Sequence, residues 1–316
     1  MPRPKAPVKT ALSPETAWAP LQKPDWFRIK LSESDRYKTI DGLVKEHGLA
    51  TVCQEARCPN IYECWNSGTA TFMLMGDTCT RACKFCHVKT GRPNALDPLE
   101  PLKIAGSVKT LNLNYVVLTS VNRDELPDEG SKHFADTVRE IKKMNPAVKV
   151  ETLTPDFRRT QETSIQTMLE SGVDVLAHNI ETVKRLAPSV RDARCRQEIS
   201  LHYHRLAKKL SPTIFTKSSI MLGLGEDMHE VLESMKELRD VDVDILTLGQ
   251  YLQPTKNHHP IVRYFHPDEF KELEARGLEM GFKFVAAGPM VRSSYRAAEF
   301  FVERMLNERI QIYGNV

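Results

Sequence analysis

From about residue 70 the chain alternates short apolar runs with longer segments in which apolar residues recur at helical spacing. The runs are "TFMLMG" (71–76), "YVVLTS" (115–120), "VKVETL" (148–153), "DVLAHN" (174–179), "TIFTKSSIML" (213–222) and "DILTLGQ" (244–250). Being short and mostly apolar on both faces, they read as buried parallel strands. Between them, "SKHFADTVREIKKM" (131–144) sets Phe134, Val138 and Ile141 on one helical face, and "MHEVLESMKELRD" (228–240) is a second helix. Pro146 cannot continue the first of these and marks its end. Six β/α units in series predict an α/β protein, either a doubly wound sheet or a barrel. A seventh apolar run, Phe282 with 284–288, precedes a last helix expected near 292–309. Ahead of the repeat, residues 1–27 read as a loosely held extension, and "DGLVKEHGLATVCQEARCPNIYECWNSG" as a short helix running into a cysteine-bearing loop.

Polar residues gather just past the strand ends, in "TSVNRD" (119–124), "ETLTPD" (151–156), "HNIE" (178–181) and "GQYLQPT" (249–255). Both α/β layouts put their sites at this carboxyl edge of the sheet. No G-x-G-x-x-G follows the first strand and no Walker A sequence occurs, so nothing here marks a nucleotide fold. "GLGED" (223–227) is met equally well by two glycines that turn a strand into a helix. Arg123 and Asp124 are candidate site residues, although Asp124, Glu125 and Asp128 would also suit a solvated face. His258 and His259 resemble a metal-ligand pair, but adjacent histidines splay apart.

Composition narrows the picture little. The chain has 316 residues, 41% apolar and 27% charged, with a net charge of +3. Its basic residues are scattered, which argues against a nucleic-acid partner. No stretch approaches the roughly 18 consecutive apolar residues of a membrane helix. The start is basic and free of acid up to Glu15, like part of an organellar address, but five prolines in its first twenty residues spoil an amphipathic helix. A disordered leader on a cytoplasmic protein is the expectation.

The cysteines change the picture most. Six of the seven lie between residues 53 and 86. Cys79, Cys83 and Cys86 follow the first strand at C-x3-C-x2-C, and Cys53, Cys58 and Cys64 precede it at C-x4-C-x5-C. Three converging thiolates can hold zinc, hold three corners of an iron–sulfur cubane, or lie buried as small apolar groups. For the first triad, a fourth zinc ligand from His87 is awkward beside Cys86. Three thiolates on one loop instead suit a four-iron cluster with one iron left open. The second triad again supplies three thiolates where four are usual. Cys195, in the polar "SVRDARCRQE", reads as an incidental thiol.

"CTRACKFCHV", with Phe85 at the aromatic position before the third cysteine, resembles the cluster loop of radical S-adenosylmethionine (SAM) enzymes. Together with "CQEARCPNIYECW", "ETLTPDF", "HNIETV", "LTLGQYLQPT" and "GPMVRSSY", it resembles the lipoyl synthase family over residues 25–295. The resemblance implies a partial (β/α)6 TIM-type barrel over 70–281 with SAM across its open face. It implies an N-terminal extension, 1–69, bearing an auxiliary cluster loop, and a C-terminal segment, 282–316, closing over that cluster.

On this resemblance Cys79, Cys83 and Cys86 hold the reducing 4Fe-4S cluster. Cys53, Cys58 and Cys64 hold a second 4Fe-4S cluster with Ser294 of "RSSY" as its fourth ligand. Phe85, Glu151, Asn179 and Glu181 fall on the SAM side of the pocket, with ordinary capping and loop hydrogen bonds as the lesser alternative for the last three. The implied reaction inserts two sulfurs at carbons 6 and 8 of an octanoyl group carried on a lysine of a lipoyl carrier domain. Two SAM are used, and the auxiliary cluster is the sulfur donor. Those carbons are too weakly acidic for any side-chain base, so hydrogen abstraction is the remaining route. A low-potential electron donor and an iron–sulfur carrier for cluster repair are the implied further partners. Two departures stand out: Arg296 replaces the histidine of the family's "RSSYHA", and Cys195 takes the place of an aromatic residue. The competing readings are a non-enzymatic cluster or zinc module and another radical-SAM sulfur inserter.

Overall fold

The computed structural model describes residues 21–27, 34–46, 49–55, 58, 60–66 and 71–294. The leader through residue 20 and the last helix from 295 onward lie outside the described residues, and 292–294 are not helical. Helix α1 (Asp35–Glu46) leads to a two-residue strand β1 (Ala50–Thr51) and two short helices, α2 (Val52–Glu55) and α3 (Ile61–Asn66). Strand β2 (Thr71–Leu74) opens the repeat, and a small pair, β3 (Thr78–Cys79) and β4 (Lys89–Thr90), brackets the second cysteine loop. Then follow α4 (Glu100–Thr110), β5 (Tyr115–Ser120), α5 (Ser131–Met144), β6 (Lys149–Leu153), α6 (Gln161–Leu169) and β7 (Val175–Ala177). The chain continues through α7 (Ala187–Val190), α8 (Gln197–Leu210), β8 (Phe215–Leu222), α9 (Met228–Arg239), β9 (Ile245–Gln250), α10 (Pro267–Glu279) and β10 (Phe284–Gly288).

Strand order decides between the two layouts. The large sheet runs β1-β2-β5-β6-β7-β8-β9-β10, so the strands from β2 onward pair in chain order and all in parallel. A doubly wound sheet reverses order at a switch point; this one never does. It is an open partial barrel, with the antiparallel β1 at one edge and β10 at the other. The sheet therefore runs past residue 281, where the barrel was expected to end, because Phe284 to Gly288 pair with Ile245 to Gly249 of β9.

Local chemistry sets the element bounds. β2 stops at Leu74 because Met75 (φ 67°) and Gly76 (φ 91°) turn into the left-handed region. Asp227 and Glu230 form a reciprocal capping box that starts α9. The floor of the barrel is an apolar layer of Tyr115, Val117, Val175, Phe215 and Ile245, with Phe284 packed against it. Directly within it sits a buried ion pair, Lys217 Nζ at 2.8 Å from both oxygens of Glu151, whose Oε2 also accepts from the Tyr115 hydroxyl at 2.6 Å. With its floor filled, the barrel opens at the carboxyl edge. Among the described residues no helix is long and apolar enough to cross a membrane.

Candidate functional site

A cavity of about 600 Å³ lies at that edge. Both cysteine triads line it, together with Cys195 and Ser294. All seven thiols are free. The upstream triad reaches the cavity because β1 pairs antiparallel with β2, Ala50 opposite Met73 and Thr51 opposite Phe72, which lays α2 and α3 over the barrel mouth. The Cys58 amide donates to the Cys53 carbonyl at 3.0 Å, and Cys53 and Cys64 are buried. Burial pushes the Cys53 thiol up to about 11 and raises Cys58, against the pull of Arg292.

The second loop is closed by the β3–β4 pair and held from three sides. Cys79 Sγ accepts from the amides of Asn122 (3.3 Å) and Arg81 (3.4 Å), and Cys83 Sγ from the amide of Asp192 (3.3 Å). The Cys86 carbonyl lies 3.0 Å from His258 Nε2 in the loop after β9, and that ring stacks on His87 with centroids 5.7 Å apart. Burial pushes Cys86 up to about 11.

Arg81, between Cys79 and Cys83, is the bracket. Its buried guanidinium takes Asp156 through Nη1 and Nη2, each at 2.8 Å, and Asp124 through Nη2 at 2.7 Å and Nε at 3.1–3.2 Å. Two forked carboxylate contacts use the planar guanidinium fully and fix the loop to the ends of β5 and β6. Burial alone would raise both aspartates, but the Arg81 hydrogen bonds outweigh it and their carboxyls are held below the ordinary value. Asp124 is thus no solvated face. Arg123, also buried, donates to the carbonyls of Met75 and Asn94.

Cys195, expected in a polar segment, takes a different place. It is buried on the cavity wall, its sulfur 3.1 Å from Arg81 Nη1 and close enough to Cys83 for the two thiols to act on one another. The Cys83 contact and the nearby Arg81 and Arg191 favour the Cys195 thiolate, while Cys83 is pushed up.

The C-terminal segment completes the rim. Gly249 is the next-to-last residue of β9, and a Cβ there would stand 2.0 Å from the Val291 carbonyl oxygen, so only glycine lets 291–294 cross the barrel mouth. Asn60 Nδ2 donates to the Met290 carbonyl at 2.6 Å, tying the upstream cysteine loop to this segment across 230 residues of sequence.

Residues 73–238 match the model of the radical SAM superfamily. Over 282 residues the chain is 55% identical to a lipoyl synthase of Legionella pneumophila (strain Paris), a match covering 89% of this chain and 85% of that one. It is 52% identical over 297 residues to the mitochondrial lipoyl synthase of Aedes aegypti, covering 92% and 75%. The chain belongs to the lipoyl synthase family. In fold it also resembles methylornithine synthase (PylB), with a TM-score of 0.52 at 13% identity over 85% of this chain and 84% of that one. Its activity is that of the family, SAM-dependent sulfur insertion into an octanoyl chain on a lysine, and the cluster-storage reading is set aside.

The residues expected on the SAM side sort unevenly. Asn179 and Glu181 line the cavity just past β7, the amide donating to Glu181 Oε1 at 3.1 Å. Burial raises the Glu181 carboxyl, with Arg191 pulling it back down. Phe85 lines the cavity too and packs on the apolar cluster that includes Ile180 and Val190. Glu151 does not reach it. It shares the inward face of β6 with Leu153, a cavity residue, but sits two positions earlier, about 6–7 Å deeper in the barrel, where Lys217 and Tyr115 hold it. Sequence reasoning missed Arg81, Asn60, Gly249 and Arg292 as site residues; the polar strand ends "TSVNRD" and "ETLTPD" were the only trace of the first, through Asp124 and Asp156.

Proposed function

We propose that Cys79, Cys83 and Cys86 hold the 4Fe-4S cluster that reduces SAM, and that Cys53, Cys58 and Cys64, with Ser294, hold a second one that gives up its sulfur to carbons 6 and 8 of the octanoyl chain. The single observation that carries this is the opening of both triads onto one cavity, with Asn179 and Glu181 on its wall. Among the described residues no three His, Cys, Asp or Glu side chains converge as ligands of a single ion would. Six free thiols in two sets of three suit two multi-iron groups better than zinc. When bound, these groups and SAM supply hydrogen abstraction from an unactivated carbon and the sulfur that replaces it.

The protein's own part is placement. Asn179 and Glu181 offer a donor and acceptors to the polar parts of SAM. Ile220, Met221, Leu252 and Val291 present apolar wall to an alkyl chain and keep water from it. The Arg81 bracket prevents the first loop from drifting, since its guanidinium ties the loop at once to Asp124 and to the buried Asp156. Ala82, Lys84, Gly91 and Arg92 of that loop are exposed, giving a low-potential electron donor a short approach to the first triad. A lipoyl carrier domain would deliver the chain, and an iron–sulfur carrier would renew the second group. Seven free thiols call for reducing surroundings, and on that ground we also propose a cytoplasmic location.

The test separates the two triads. C83A should lose 5′-deoxyadenosine formation and lipoyl product together. C58A and S294A should keep 5′-deoxyadenosine and lose most lipoyl product, with a changed Mössbauer spectrum of the second group in S294A. Wild-type product from S294A with an unchanged spectrum would remove Ser294 from the ligand set.

A further inference from the structure

Arg292 stands two residues before Ser294 on the segment that crosses the barrel mouth, and its side chain is oddly provided for. Nη1 donates to the carbonyls of Val291 (2.7 Å) and Pro289 (3.3 Å), which fixes the plane of the guanidinium. Nη2 is shut off from solvent and has no hydrogen-bond partner among the described residues. No carboxylate among them pairs with the group; the acidic side chain near enough to act on it is the Cys58 thiol. An arginine keeps its charge in a protein, and a guanidinium arm shut off from solvent in a half-buried side chain needs an acceptor or a counter-charge. Among the described residues, the place left for that anion is beside Cys58, on the cavity wall that Asn60 and Ser294 also line.

The thiolate-ligated group proposed above is such an anion. Three thiolates on a dipositive cluster leave net negative charge, and an alkoxide ligand adds to it. We infer that Arg292 is a positioning residue for sulfur insertion: its free Nη2 donates to a sulfur of the group held by Cys53, Cys58 and Cys64 and serves as that group's buried counter-ion. This rests on the assignment of the second triad. Its stereochemistry is built in, because Nη1 lies 3.5 Å from where a Cβ on Gly249 would stand, so the bare end of β9 gives the guanidinium its seat. Lysine cannot substitute in kind, having no second arm with which to be held in place. The sequence around it gives no hint, since the arginine is simply the first letter of "RSSY".

The experiment uses the full chain in a C83A background, so that only the second group is loaded. R292K and R292M are compared with the parent for iron and sulfide per chain and for the midpoint of an anaerobic reductive titration followed by EPR. Loss of a nearby cation disfavours adding an electron, so the midpoint should move negative in R292M and less far in R292K. In otherwise wild-type enzyme, R292M should cleave SAM normally while its yield of lipoyl product per 5′-deoxyadenosine falls about tenfold or more, the size of one charge-assisted hydrogen bond. A parental midpoint and parental yield in R292M would overturn the inference. If R292M takes up no second group, R292K decides: uptake with a shifted midpoint supports the counter-ion, and equal loss of uptake in both, with the C-terminal segment opened to protease, reduces Arg292 to a structural prop. A C58A control that kept its full second-group iron would instead defeat the triad assignment itself, leaving the two failures distinguishable.

Discussion

The amide of Asn60 and the carbonyl of Met290 meet at 2.6 Å, and this bond joins the loop that carries the upstream thiols to the segment that carries Ser294. Removing the donor leaves a carbonyl without a partner at a crowded seam, at a cost of about 1–3 kcal/mol. N60A should lower the unfolding free energy by that amount and speed proteolytic release of the C-terminal segment. N60D, which sets a carboxylate against the carbonyl, should be worse than N60A; the reverse order would show that the bond does not hold the seam.

Gly249→Ala drives a methyl group against the Val291 carbonyl at 2.0 Å, closer than any real contact, so backbone must move. The displaced residues are those that bring Arg292 and Ser294 over the cavity. Iron analysis of G249A should find the first group present and the second largely lost, with lipoyl product down about tenfold or more for a stability loss of roughly 1–3 kcal/mol. Retention of both groups would mean that the rim tolerates the shift.

The Lys217–Glu151 pair predicts a stability effect with no SAM effect. K217M leaves a carboxylate buried and unpaired, which costs about 3–5 kcal/mol, whereas K217M/E151M removes both charges and should recover most of that loss. E151Q should bind SAM within about twofold of wild type by calorimetry. A tenfold weakening would move Glu151 back to the SAM pocket and contradict its place on the barrel floor.

Two buried histidines set a pH dependence. His178 donates through Nδ1 to the Thr154 carbonyl and accepts at Nε2 from Ser200, and His204 Nε2 donates to the His178 carbonyl, so both rings are neutral. Burial lowers them to about 4 and about 3. Because the unfolded chain takes up these protons near pH 6.5 and the native one does not, their stability contribution is whole above that value. It is lost progressively as pH falls toward 4 and 3. Urea unfolding of the cluster-free protein between pH 6 and 5 should lose up to about 3 kcal/mol per pH unit, and H204L should halve that slope. An unchanged slope in H204L would assign the proton uptake elsewhere.

What the sequence made legible follows a physical line. Tyr115–Ser120 and Ser131–Met144 were readable to the residue, because a doubly buried strand and a one-faced helix each impose a period on the chain. The triads were readable because thiols so crowded have few other uses. Depth was not readable: Glu151 and Leu153 share a face, and nothing in their spacing says that one lies at the floor and the other at the mouth. Nor were pairings across long separations, such as Arg81 with Asp156 or Asn60 with Met290, since each residue alone is an ordinary polar side chain. The burial of Cys195 was hidden for the same reason. Its polar neighbours in sequence hide a buried seat beside Cys83.

The strand that brings the rim into place, Phe284–Gly288, is the last of the sheet to be synthesised. On the ribosome, the upstream thiols emerge some 230 residues ahead of the backbone that will cover them, a lead of roughly ten to fifty seconds at ordinary translation rates. Throughout that interval Cys53, Cys58 and Cys64 are bare nucleophiles on an unfinished chain. The cover over the second site is therefore completed among the last steps of folding, long after the thiols beneath it have been made.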